Sequence, residues 1–121
     1  MNLIDEIRRI GRTAKWSWQG WLAAWASEKS LRQWTLANVL SVIAAFALPL
    51  TLGERALILS LGLVLLASEL LNTAIEEIVD KISPEQDPRA GKAKDCGSAA
   101  VALTALAGGV AWVVILVRVF G

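Results

Sequence analysis

The sequence predicts an all-α membrane protein: three transmembrane helices preceded by an N-terminal amphipathic helix on the membrane surface. Three observations carry this. Hydrophobic residues make up 55% of the 121 residues, more than a soluble domain of that length usually holds. The 12 basic and 11 acidic residues are clustered rather than spread. The stretches between the clusters are nearly free of charge, and they approach the ~20 apolar residues that a helix needs to cross a bilayer.

The first segment, about 2–27, does not read as a span. Leu3, Ile4, Ile7, Ile10 and Ala14 recur at helical spacing, while Asp5, Glu6, Arg8, Arg9 and Arg12 fall largely on other faces. Trp16, Trp18, Trp21 and Trp25 follow. Indole favours the headgroup region, where its ring is buried and its N–H stays wet. A helix lying in the cytoplasmic interface fits this pattern, either as an anchor alone or as a lipid-access site. No apolar h-region follows the charged start, so no cleavable signal peptide is read.

Three spans follow, at about 30–52, 55–81 and 92–119. Residues 35–52 carry no charge, and 56–68 are apolar and continue through Leu70, Leu71 and Ile75 with Glu69 and Asn72 embedded. Residues 96–117 are again uncharged. Pro49 and Gly53 mark the first exit, and Gly53-Glu54-Arg55 reads as a very short turn. Residues 81–91, with two prolines, read as a polar cytoplasmic connector. Arg8, Arg9, Arg12, Lys15, Lys29 and Arg32 precede the first span, and Lys81, Arg89, Lys92 and Lys94 lie between the second and third. The other side receives Arg55 and Arg118. The positive-inside rule therefore puts the N-terminus in the cytoplasm and the C-terminus outside.

There is no His and a single Cys, Cys96. A Ser–His–Asp triad, a Cys–His pair, a His-built zinc site and an intramolecular disulfide are all excluded. A net charge of +1 implies no attraction to nucleic acid. Neither a Walker pattern nor a G-x-G-x-x-G loop is present. Any chemistry must rest on carboxylates, Lys, Arg, Ser and Asn, with or without a hard metal held by oxygen.

The informative row is on the second span. At 100° per residue Glu69, Asn72, Glu76 and Asp80 share one stripe, with Glu77 at its edge. A carboxylate inside a span costs ~2.5–3.5 kcal/mol on insertion scales, and usually faces a bundle interior or a cavity. Lys94 and Asp95 open the third span, followed by Gly97, Ser98, Ala99 and Ala100, small enough for close helix approach or for a ligand. Two readings stand: Lys94 neutralises one carboxylate, or the surplus of acceptors holds a divalent cation. Magnesium, which prefers one or two carboxylates plus phosphate oxygens and water, suits the second. Glu28, just before the first span, can join from the same side.

Three function classes fit spans with such a row: a lipid-modifying enzyme at the cytoplasmic interface, a small cation-coupled transporter, and a structural oligomer. A transporter needs a polar path across the bilayer, and the outer halves of all three spans lack charge. A structural oligomer leaves the carboxylates unexplained. The enzyme reading accounts for both.

At Glu69-Leu70-Leu71-Asn72-Thr73-Ala74-Ile75-Glu76 and Ala93-Lys94-Asp95-Cys96-Gly97-Ser98-Ala99-Ala100-Val101 the sequence resembles the bacterial integral-membrane diacylglycerol kinases. Trp18, Ala23-Ala24-Trp25, Glu28, Arg32, Trp112 and the closing Phe120-Gly121 match the Gram-negative branch. The resemblance implies a homotrimer in the bacterial inner membrane, with sites shared between subunits, that transfers the γ-phosphoryl of MgATP to diacylglycerol. By position, it makes Glu69 the general base, and Glu28 and Glu76 the holders of magnesium. Asn72 would support the ATP–metal site, Lys94 would contact phosphate, and Asp95 and Arg9 would complete the nucleotide site. The same resemblance brings Glu85, Gln86 and Asp87 to the nucleotide and puts Trp16 near the adenine, where the family often has Tyr. Ser17, Trp18, Trp25, Ser98 and Trp112 would border the lipid beside Glu69. The related undecaprenol kinases share the core motifs, and the Trp pattern favours diacylglycerol as acceptor.

Overall fold

The computed structural model describes residues 2–121. Four helices follow one another: α1 (Leu3–Ser27), α2 (Lys29–Ala47), α3 (Leu52–Ile82) and α4 (Pro88–Phe120). No strand occurs among the described residues.

Each boundary has a local cause. Asn2 caps α1 by accepting from the Asp5 N–H at 2.9 Å, and Asp5 and Glu6 set negative charge in the first turn. One extended residue, Glu28, with φ −110° and ψ 105°, separates α1 from α2. α2 ends at Ala47 rather than at 52. Leu48 precedes Pro49, whose ring drives that residue out of the helical region, to φ −92° and ψ 156°.

The connection is therefore 48–51, and Gly53-Glu54-Arg55 lies in the first turn of α3 instead of forming the turn itself. A capping box starts α3 early: Thr51 Oγ1 accepts from the Glu54 N–H at 3.1 Å, and Glu54 Oε1 accepts from the Thr51 N–H at 2.9 Å. α4 also starts ahead of the expected 92. Asp87 accepts from the N–H groups of Arg89 at 2.7 Å and Ala90 at 3.2 Å, and Pro88 supplies a φ already suited to the first helical position. The connector shrinks from 81–91 to 83–87.

α3 is the axis of the bundle. α4 packs along it, α2 packs against it, and α1 reaches only α2 and α3. The buried core gathers Ala45, Leu50, Ile58, Ala111 and Ile115, with Trp112 packed against it. Trp112 Nε1 donates to Ser41 Oγ at 2.9 Å and so ties α4 to α2. At this end Arg55 donates to the Ala45 carbonyl at 2.9 Å, and Arg118 donates to the Pro49 carbonyl at 3.0 Å. Both cations serve backbone oxygens around the end of α2, where helical partners run out.

Much apolar surface is left uncovered. Leu36, Ile43 and Phe46 on α2, Leu63 and Val64 on α3, and Leu103 and Val113 on α4 are exposed. α3 and α4 are each long and apolar enough to cross a membrane, and only 17% of the apolar stretch of either is buried. The core helix of a soluble protein would be mostly covered, so these two helices mark a membrane protein. α2 does not reach the same length and apolarity; its 19 residues span about 28 Å at 1.5 Å each, and Lys29, Arg32 and Gln33 occupy its first turns. Residues 7–20 of α1 are all exposed, as a helix with its apolar face turned to lipid would be.

Candidate functional site

Glu69 lies inside α3 and is 4% exposed. The break at Glu28 turns the start of α2 towards it, and Ser30 Oγ donates to Glu69 Oε1 at 2.5 Å. Glu28, half-buried two residues before Ser30, accepts from Ser27 Oγ at 3.4 Å. One turn beyond Glu69, Asn72 Nδ2 donates to Glu76 Oε1 at 3.2 Å. Asn72 Oδ1 is buried with no hydrogen-bond partner and lies against Gly97 of α4. The small-residue run on α4 thus allows close approach at Gly97, while Ser98, Ala99 and Ala100 face outward.

Further along α3, Lys94 Nζ donates to Asp80 Oδ1 at 2.8 Å, with both side chains well exposed. Lys94 therefore neutralises a carboxylate of the row, the one nearest the helix end. The pair opens onto a cavity of about 540 Å³ lined also by Ser83, Glu85, Gln86 and Asp87. Here the connector and the start of α4 come together with Lys94. The Asp87 carboxylate is already engaged in capping α4. A second groove, of about 610 Å³, runs between α1 and α3 and carries Ser17, Ser27, Thr73 and Glu77. Glu77, at the edge of the predicted stripe, faces α1 rather than α4.

Other expected site residues stay apart within the chain. Arg9 pairs with Glu6 of its own helix at 2.9 Å. Trp16 and Trp18 are exposed. Trp25 packs on Trp21, their ring centroids 5.9 Å apart, and its carbonyl accepts from Arg32. Asp95 is exposed on α4. Trp112 belongs to the core at the far end, 14 residues along α4 from Ser98, or about 21 Å at 1.5 Å per residue.

The donor set is hard: carboxylates, an amide oxygen and hydroxyls. Among the described residues no three His, Cys, Asp or Glu gather as a metal-binding group. The chain thus offers magnesium few carboxylates, and that ion ordinarily takes one or two, completing its shell with phosphate and water. The unpartnered Asn72 oxygen beside Glu76 fits such a site.

Long apolar helices left uncovered, with a carboxylate buried between them, define a membrane protein. The sequence profile described as prokaryotic diacylglycerol kinase matches residues 15–116. The chain is 45% identical to the diacylglycerol kinase of Pseudomonas aeruginosa over 91% of its own length and 89% of the relative's. It is 38% identical to that of Escherichia coli K12, covering 93% of each, and 36% identical to that of Haemophilus influenzae, covering 88% and 90%. The chain belongs to the prokaryotic diacylglycerol kinase family, and its function is that of a lipid kinase.

Proposed function

We propose that the protein transfers the γ-phosphoryl group of ATP to the hydroxyl of diacylglycerol, giving phosphatidic acid at the cytoplasmic face of the inner membrane. The observation that carries this reading is Glu69, a carboxylate buried among apolar helices in the half of α3 whose end carries Asp80, paired with Lys94 beside the cavity. Glu69 takes the proton of the lipid hydroxyl. The lipid oxygen forms a bond to the γ-phosphorus as the bond to the bridging oxygen of ADP breaks, and ADP leaves. Proton transfer by a positioned base contributes typically 10²–10⁴-fold.

The remaining residues position and neutralise, which is most of what phosphoryl transfer requires. Lys94 exchanges Asp80 for phosphate, and Glu85 and Gln86 border the nucleotide in the adjoining cavity. Arg9, Trp16 and Asp95 complete the nucleotide site from surfaces that one protomer leaves open. Glu28 and Glu76 would hold magnesium with support from Asn72, and the bound ion would offset the charge on the phosphates. Ser17, Trp18, Trp25, Ser98 and Trp112 border the acyl chains. α2 serves as the third span, and α1 lies on the cytoplasmic surface. The uncovered faces of α2 to α4 close against two further copies in a homotrimer. α1, which carries Arg9, packs against α2 and α3 and not against α4, which carries Lys94, and this supports sites shared between subunits.

The test is transfer of labelled γ-phosphate from MgATP in mixed micelles, with diacylglycerol and undecaprenol offered separately. Preference for diacylglycerol is expected. Preference for undecaprenol would keep the chemistry and change the acceptor. An assembled sample that phosphorylates neither lipid would sink the reading.

A further inference from the structure

The Ser30 hydroxyl is the one described side chain that donates to the Glu69 carboxylate, and it does so at 2.5 Å from a different helix. Its own position is well held. The next residue, Leu31, is fully buried at 0% exposure, so the first turn of α2 cannot slide along α3 without opening the packing around that side chain. Glu69 Oε1 is thereby taken. Glu69 Oε2 receives no hydrogen bond from any described residue. Among the described residues the one fully buried polar side-chain atom lacking a partner is Asn72 Oδ1, so the unpartnered Glu69 Oε2 is not fully closed off. A carboxylate on a flexible side chain has many rotamers, and a fixed donor on one oxygen selects the rotamer that offers the other.

We propose that Ser30 is a positioning residue: it pins Oε1 of Glu69 so that Oε2 is the oxygen presented to the acceptor hydroxyl. This rests on the reading of Glu69 as the base and adds to it a specific division of labour between its two oxygens. Ser30 takes no proton and touches neither lipid nor nucleotide. It acts by limiting where Glu69 can point, which matters because small misplacements of a reacting group are costly.

The experiment compares Ser30→Ala, Ser30→Thr and Glu69→Gln as assembled protein, with kcat and KM measured separately for MgATP and diacylglycerol. The expected result is a kcat about tenfold lower in Ser30→Ala, the scale of one hydrogen bond to a charged group. KM for MgATP should hold, and Ser30→Thr, which keeps the hydroxyl, should recover most of the lost kcat. If Glu69→Gln is inactive while Ser30→Ala turns over at the parent rate, the positioning role falls and the base assignment stands. If Glu69→Gln retains near-full activity, the base assignment falls and takes the role of Ser30 with it. Loss of kcat in Ser30→Thr equal to that in Ser30→Ala would also overturn the proposal, since the hydroxyl would then not be what matters.

Discussion

Asn72 on α3 fills the space that a side chain on Gly97 of α4 would take. A Cβ built on Gly97 would stand 2.5 Å from Asn72 Oδ1 and 3.3 Å from Ile75 Cδ1. The glycine therefore sets how closely the two helices approach at the level of the carboxylate row. It also keeps Asn72 turned so that Nδ2 reaches Glu76 at 3.2 Å.

Gly97→Ala should act on packing and site together. Either α4 moves away or Asn72 swings aside, and overpacking of this kind costs about 1–3 kcal/mol. Thermal unfolding should show lower stability, and KM for MgATP should rise as the Asn72–Glu76 bond is lost. Parent-like stability and kinetics would show that the α3–α4 contact has slack there.

Glu69→Gln keeps the shape of the side chain and removes its ability to take a proton. Turnover should fall by at least about 100-fold, the lower end of what a general base contributes. Ser30 can still donate to the amide oxygen, so assembly should survive, as judged by size-exclusion chromatography in detergent. Activity within a few-fold of the parent would remove Glu69 from the chemistry.

Lys94→Leu separates binding from stability. The Lys94–Asp80 pair is exposed on both sides, and such pairs contribute little to folding. Thermal stability should stay close to that of the parent. KM for MgATP should rise clearly, because the phosphates lose the cation that borders the connector cavity. A Tm well below the parent with unchanged ATP saturation would reverse that assignment, making the lysine a strut.

Much of the fold was legible because its signals are local. Uncharged runs mark α3 and α4, whereas the caps at Thr51 and Asp87-Pro88, which start these helices ahead of 55 and 92, went unread. Gly53 misled the reading of the first turn: its flexibility suggested a bend, yet the Thr51-to-Glu54 capping box around it is the stronger local force and recruits Gly53 into α3. Pro49 was the better marker. The carboxylate row was legible from helical periodicity, and its partners were not. Ser30 lies 39 positions from Glu69, in the first turn of another helix, with nothing in its neighbours to single it out. Only the one-residue break at Glu28 decides that they meet. The expectation of Ser98 and Trp112 as lipid neighbours rests on the family resemblance, and the two stand 14 positions apart on α4.

The far end of the bundle offers a test of stability without the site. Arg118 on α4 donates to both carboxylate oxygens of Glu54, each at 2.6 Å, and to the Pro49 carbonyl at 3.0 Å. Glu54 Oε1 also accepts from the Thr51 N–H, so one carboxylate serves both the capping box and the α3–α4 clasp. A bidentate guanidinium–carboxylate pair with a further backbone contact is better ordered than a lone surface ion pair. Arg118→Leu frees the Pro49 carbonyl as well as Glu54, whereas Glu54→Gln retains one acceptor and most of the cap. The Tm should therefore fall by several degrees in Arg118→Leu and by less in Glu54→Gln. KM for MgATP should be unchanged in both, since the clasp lies some 22 residues of α3 from Glu76, about 33 Å at 1.5 Å per residue. Equal Tm values in parent and Arg118→Leu would show that the clasp holds nothing the apolar packing of Ile58, Ala111 and Ile115 does not already hold.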